Sequence, residues 1–229
     1  MDDLSVNKFN IFLIYIYYID RCFKNGYGYQ LNRIEMTAIQ SGLANEFIRA
    51  GAVLYTSAFA EKLIPFLGNQ EQTADLIESS IVPQNCLAAV KDRSLEGILA
   101  IQTCQQCFIQ PQMKNLQSHF GFIGGSFRAL GLSLIRYQPQ PDELYIEALA
   151  VAESARGKGV GTRLLDEVIV LAKEQGFKKI TLHVIDANPR ARQLYERLGF
   201  VIKKSQNIWP INRILGWNFN KVIFMALEI

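Results

Sequence analysis

Cysteine, histidine and tryptophan are scarce in this 229-residue chain, which has four Cys, two His and two Trp. Four cysteines are too few for a secreted domain of this size held together by disulfides. Cys104 and Cys107 form a C-x-x-C pair, yet no second pair and no histidine set lies near it, which argues against a metal site. A redox pair would need a strand-turn-helix context that is missing here, so both cysteines read as small buried hydrophobes near a strand end. His119 and His183 belong to no Ser-His-Asp or Cys-His set. Strong charge of one sign is also lacking. The net charge is +3 and the basic residues are scattered, which gives no basis for nucleic-acid or membrane binding. No apolar run reaches bilayer length. The run "FNIFLIYIYYI" (9–19) has 11 residues, follows a mildly acidic start and precedes no small-residue cleavage site. Sparse cysteine and the poor fit to an export signal point to a cytoplasmic protein.

What is present suits one sizeable core: 49% of residues are hydrophobic. Residues 1–35 differ from the rest. Asn, Ile, Tyr, Phe and Lys, which share AT-rich codons, supply 19 of them. They are read as an N-terminal extension, either translated upstream sequence with Met36 as initiator or a hydrophobic arm. Residues 36–229 form the domain proper. Within it, helices are predicted over 57–67, capped by Ser57, and over 69–81, capped by Asn69 with Gln72 at capping-box spacing and ended by Pro83. Strands are predicted at 85–92 and 95–103 around a turn at Arg93 and Ser94. An insert at about 105–142 reads as one or two helices broken at Gly121, Gly124 and Gly125. A strand follows over 144–151, with Ile146, Ala148 and Ala150 on one side and Tyr145, Glu147, Leu149 and Val151 on the other. Then come a helix after Gly161, ended at Gly176, a strand at 178–185, a helix capped by Asn188 and stopped by Gly199, and two last strands. This order predicts one α/β domain with a mixed sheet.

The chemistry concentrates in "ARGKGVG" (155–161), between a strand and a helix. Unpaired N–H groups at a helix start carry the positive end of the helix dipole, and glycine lets an anion approach the backbone. Two phosphate loops are excluded. Lys158 is followed by Gly159, not by a hydroxyl residue, so this is no G-x-x-x-x-G-K-[ST] loop. From Gly157 or Gly159 the G-x-G-x-x-G frame ends on Thr162 or Leu164, so it is no dinucleotide fingerprint.

The spacing present is R-x-x-G-x-G (Arg156, Gly159, Gly161), after the strand "IEALAV" and before N-x-x-A-x-x-L-Y-x-x-x-G-F (Asn188, Ala191, Leu194, Tyr195, Gly199, Phe200). Over residues 143–202 this resembles the GNAT superfamily of acyl-CoA-dependent N-acetyltransferases. The resemblance implies a single domain with a mixed, mostly antiparallel sheet flanked by helices, whose central strands splay apart. It implies acetyl-CoA as co-substrate and no metal. The amides of Arg156, Gly157, Lys158, Gly159, Val160, Gly161 and Thr162 would hold the pyrophosphate. The backbone of Leu149, Ala150 and Val151 would hold the pantetheine arm, and Asn188 would touch that arm as well as cap its helix. Glu147 would act as general base and Tyr195 as the acid that protonates the leaving thiolate. Simpler roles stay open for both, a solvent-facing strand glutamate and an aromatic core contact. His183 alternates into the splayed region, as an acceptor-pocket residue or a satisfied strand histidine.

The reading is thus an N-acetyltransferase acting on a primary amine, either a small amine or a protein N-terminus. The alternative is a non-catalytic acyl-CoA-binding sensor or interaction module. No nucleic-acid or membrane partner is expected, and a homodimer is left open.

Overall fold

Few positions of "ELYIEALAV" are polar, and a strand of that kind is covered on both faces. In the computed structural model, which describes residues 37–135 and 137–229, this strand is central to a seven-stranded sheet. The strands in chain order are β1 (Ala38–Ser41), β2 (Cys86–Lys91), β3 (Ser94–Gln102), β4 (Glu143–Val151), β5 (Lys179–Ile185), β6 (Val201–Asn207) and β7 (Lys221–Glu228). In space they run β1-β2-β3-β4-β5-β7-β6. Only the β4–β5 pair is parallel. The sheet is therefore mixed and mostly antiparallel, as the resemblance implied. The run at 9–19 and the question of Met36 lie outside the described residues.

Helices cover both faces. They are α1 (Ile48–Ala58), α2 (Ala60–Leu67), α3 (Gln70–Glu78), α4 (Met113–Ile135), α5 (Val160–Glu174), α6 (Pro189–Arg197) and α7 (Ile211–Leu215). α5 buries Leu164, Leu165, Val168 and Ala172 against Leu99, Leu144, Ile146 and Leu182. Burying a side chain such as leucine contributes about 1.5–3 kcal/mol. On the other face, Leu54 and Tyr55 of α1 pack over Ala88, Ala100, Ala148 and Ala150, whose small side chains let the helix approach.

Several predicted boundaries shift for local reasons. The helix predicted at 57–67 is the second of two. α1 begins nine residues earlier, the helix breaks at Phe59 (φ −115°, ψ 20°), and Ser57 sits inside α1 instead of capping it. Gly51 weakens the helical signal of α1, yet it is needed: a Cβ there would come within 2.7 Å of Leu43. The capping box on α3 forms as predicted, with Gln72 N donating to Asn69 Oδ1 at 2.9 Å. That helix stops well before Pro83, because the hydroxyls of Ser79 and Ser80 donate back to the Leu76 carbonyl. The β2–β3 turn falls at Asp92 and Arg93, both left-handed, one residue before the expected place. α4 breaks at Gly121 alone (φ 72°); Gly125 lies within the helix, where a Cβ would strike the Gln117 backbone at 2.6 Å. Of the C-x-x-C pair, Cys107 is buried as expected but Cys104 is exposed.

The main correction concerns β4. Opposite it, Ala100 pairs with Ala148 and the next residue, Ile101, pairs with Ile146. Glu147 is therefore the extra residue of a β-bulge. The strict alternation expected from the sequence breaks there. Leu149 and Val151 join Leu144 and Ile146 on the α5 face, while Ala148 and Ala150 lie on the α1 face.

The start of β4 is fixed by a buried carboxylate. Glu143, 1% exposed, accepts from Tyr137 Oη (2.7 Å), Gln140 N (3.1 Å) and Thr181 Oγ1. Glu143→Ala leaves three donors without an acceptor, and stability is expected to fall by about 3 kcal/mol. Urea unfolding checks this; a loss within 0.5 kcal/mol, about the size of a neutral surface change, would contradict it.

Candidate active site at the parted strands

β4 and β5 run side by side for four residue pairs, from Glu143↔Lys179 to Ile146↔Leu182, and then part. β5 leans away to β7, with which it pairs over its whole length. Beyond the bulge, β4 keeps its partner on one edge only: Leu149↔Leu99, Ala150↔Ile98 and Val151↔Gly97. Ala152 N donates to Glu96 O at 2.8 Å. Backbone direction alternates along a strand, so Ala150 also turns its N–H and C=O to β3, and Leu149 and Val151 turn theirs into the gap. Of the three residues expected to hold the pantetheine arm, two face the gap and Ala150 faces away.

The glycine loop closes the gap at one end. After a 3₁₀ turn (Glu153–Ala155), Gly157 and Gly159 take φ of 76° and 79°, values that cost a residue with a Cβ about 1–2 kcal/mol. Gly159 is the N-cap of α5, and Arg163 is the first residue of that helix whose N–H finds a backbone acceptor, Gly159 O at 3.0 Å. Among the described residues, the amides of Gly157, Gly159, Val160, Gly161 and Thr162 have none. Unpaired donors at and just before the positive end of a 15-residue helix are of the kind that can accept an anion. The amides of Arg156 and Lys158 are already used, on Glu153 O and Ala155 O. The Arg156 side chain folds back onto Val151 O at 3.2 Å, and the Lys158 side chain is exposed. A Cβ on Gly161 would sit 3.7–3.8 Å from Leu194, Val151 and Leu149, so loop, strand end and α6 meet at that residue.

Glu147 does not point with Leu149 and Val151. The bulge turns it to the α1 face, where its carboxylate accepts from Phe108 N at 3.0 Å and lies 3.5 Å from Tyr55 Oη. Tyr195 is 7% exposed, with its ring on Phe200 and within electrostatic reach of Tyr145. Burial pushes its hydroxyl up to about 12, so it stays protonated at neutral pH. Asn188 caps α6 as expected, accepting from Ala191 N at 3.1 Å. His183 lies one residue past the last β4–β5 pair and hydrogen-bonds Tyr145 Oη at 3.1 Å. It is a satisfied histidine and also a residue of the gap. Tyr55, Lys62 and Tyr145 escaped sequence reasoning. Only Tyr145 carried a signal, its place two residues before Glu147 on the same strand.

Comparison with known proteins agrees with this geometry. Residues 100–200 match the acetyltransferase (GNAT) family model. GCN5-related N-acetyltransferase 10, chloroplastic, of Arabidopsis thaliana is 35% identical over 34% of this chain and 30% of its own length. The probable N-acetyltransferase camello of Xenopus laevis is 41% identical over 38% of this chain and 39% of its own. The chain thus spans about a third of the length of the curated relatives it matches. The ribosomal-protein-S18-alanine N-acetyltransferase of Escherichia coli superposes with a TM-score of 0.52 at 18% identity, over 85% of this chain and 94% of that one, a likeness of fold. Residues 100–200 are thus similar to the acetyltransferase (GNAT) domain, and the fold is shared with solved acetyltransferases.

Burial, and next to it the charge of Lys62, depress His183 from 6.5 to about 4. The unfolded chain therefore binds this proton first as pH falls. The stability that neutral His183 supplies is present above about 6.5 and is lost between about 6.5 and 4. His183→Gln is expected to flatten the fall of Tm between pH 7 and pH 5; parent and variant curves that stay parallel would contradict this.

Proposed function

We propose that this chain transfers the acetyl group of acetyl-CoA to a primary amine held with it in a ternary complex. The observation that carries this reading is the pairing of two features: a cradle of five unpartnered loop amides, and a strand edge whose Leu149 and Val151 backbone groups face a gap. A diphosphate fits the first. An amide-rich, extended arm fits the second, which supplies the pairing that β5 withholds. Lys158 adds positive charge beside the cradle. Asn188 spends Oδ1 on its helix, and its Nδ2, which has no acceptor among the described residues, would donate to the arm.

The chemistry needs few side chains. The amine nitrogen attacks the thioester carbonyl; a C–N bond forms and the C–S bond breaks. A gap-facing N–H of the strand edge stabilises the oxyanion of the tetrahedral intermediate. A lysine-like amine has a pKa of about 10.4 and must shed a proton first. Glu147, held by Phe108 N and Tyr55 Oη, takes that proton directly or through water. Tyr195, kept protonated by burial, returns one to the leaving thiolate. The amide product and coenzyme A leave.

Release of coenzyme A across a panel of amines, with acetylated product confirmed by mass, tests the reading. Acetyl-CoA binding without release for any amine would favour a sensor. Tyr195→Phe is expected to lower kcat by about 10²-fold while acetyl-CoA affinity changes little. Unchanged turnover would remove Tyr195 from the acid role.

A further inference from the structure

Lys62, on α2, is a half-buried cation. Among the described residues no carboxylate pairs with it. Its ammonium lies 5.5 Å from the Phe59 ring centre and 5.7 Å from that of Phe219. Trp217 stacks on Phe219 at 5.1 Å and donates from Nε1 to the Lys62 carbonyl at 3.1 Å. The lysine is thus fixed in place and partly stripped of water, and among the described residues the groups set against its charge are aromatic faces. A desolvated cation of this kind is unfavourable unless a counter-ion arrives.

Its neighbours place it beside the gap. Its charge reaches His183, the first β5 residue beyond the parting. The Phe59 ring beneath it lies 4.9 Å from the Tyr55 ring, and Tyr55 Oη is 3.5 Å from Glu147. Among the described residues, this chain of contacts therefore joins a carboxyl group, Glu147, to an amine, Lys62. His183 is hydrogen-bonded to Tyr145, and Glu143 is consumed by its own donors. An ammonium ligand with no anion would bring a second positive charge toward Lys62; a polyamine would bring several.

We propose that Lys62 binds an anionic group, a carboxylate or a phosphate, on the amine acceptor, so that the acceptor is an amino acid or an amino phosphate and not a polyamine. This rests on the acetyl-transfer reading. In the bound pair the anion sits on Lys62 and the amine is turned to Glu147, which makes Lys62 a specificity residue that takes no part in proton transfer.

The test measures coenzyme A release with butylamine, 4-aminobutyrate, O-phosphoethanolamine and spermidine, on the full chain and on Lys62→Gln and Lys62→Arg. At least one anionic amine is expected to exceed butylamine and spermidine by about tenfold or more in kcat/KM, mostly through KM. Which of the two does so separates carboxylate from phosphate. Lys62→Gln is expected to erase that ratio and Lys62→Arg to retain part of it, with thermal melting and coenzyme A affinity reporting whether each variant is folded. If Lys62→Gln does not fold, the parent ratio and Lys62→Arg decide. A preference for butylamine or spermidine, or a ratio untouched by Lys62→Gln, overturns the proposal while leaving acetyl transfer intact. Coenzyme A binding with no amine acetylated overturns the acetyl-transfer reading, and this proposal with it.

Discussion

A strand in the middle of a sheet must hydrogen-bond along both edges or find another partner for its backbone groups. β4 meets this demand for four residue pairs with β5 and then loses it, because β5 follows β7 away from it. The bulge at Glu147 falls at the point of parting. It changes which side chains face which helix, and it turns a carboxylate to the α1 face beside Tyr55. The other site features attach to this one break. α5 packs Val160 and Leu164 so close to Gly97 that a Cβ there would touch both at 3.2 Å, which sets the helix start at the end of β4. Leu194 brings α6 to the same place.

The gap is bordered by groups whose burial favours their uncharged forms. Burial raises the hydroxyls of Tyr55, Tyr145 and Tyr195 and lowers His183. Against that neutral lining, Glu147 and Lys62 stand out as groups of opposite sign. Burial lowers Lys62 as well, and among the described residues no carboxylate pairs with it. A site with a cradle for phosphate at one end and a carboxylate and an ammonium at the other is asymmetric in a way that orders two substrates.

Local rules carried the reading where a residue's role is set by its immediate neighbours. Asn69 with Gln72 and Asn188 before Pro189 were legible, because capping is decided within a few residues, whereas α5 starts at Val160, two residues before the place expected after Gly161. The glycine loop and the helix around Tyr195 had a spacing that points to a family. Features decided by distant partners were not legible. The bulge at Glu147 is a mismatch between two strands, so the period-2 pattern of β4 alone hid it. Gly125 read as a break, although it is a close packing contact inside a helix, as Gly51 is in α1. Lys62 and Tyr55 belong to helices that carry no motif, and only the folded chain brings them to the gap.

The central claim is that the gap-facing edge of β4 and the loop amides together hold acetyl-CoA. Amide hydrogen exchange on the full chain, with and without acetyl-CoA, reads those N–H groups one by one. Slowed exchange at Gly157 and Gly159 through Thr162, and at Leu149 and Val151, is the expected result. Exchange at those amides that acetyl-CoA leaves unchanged, with protection elsewhere in the sheet, would contradict it.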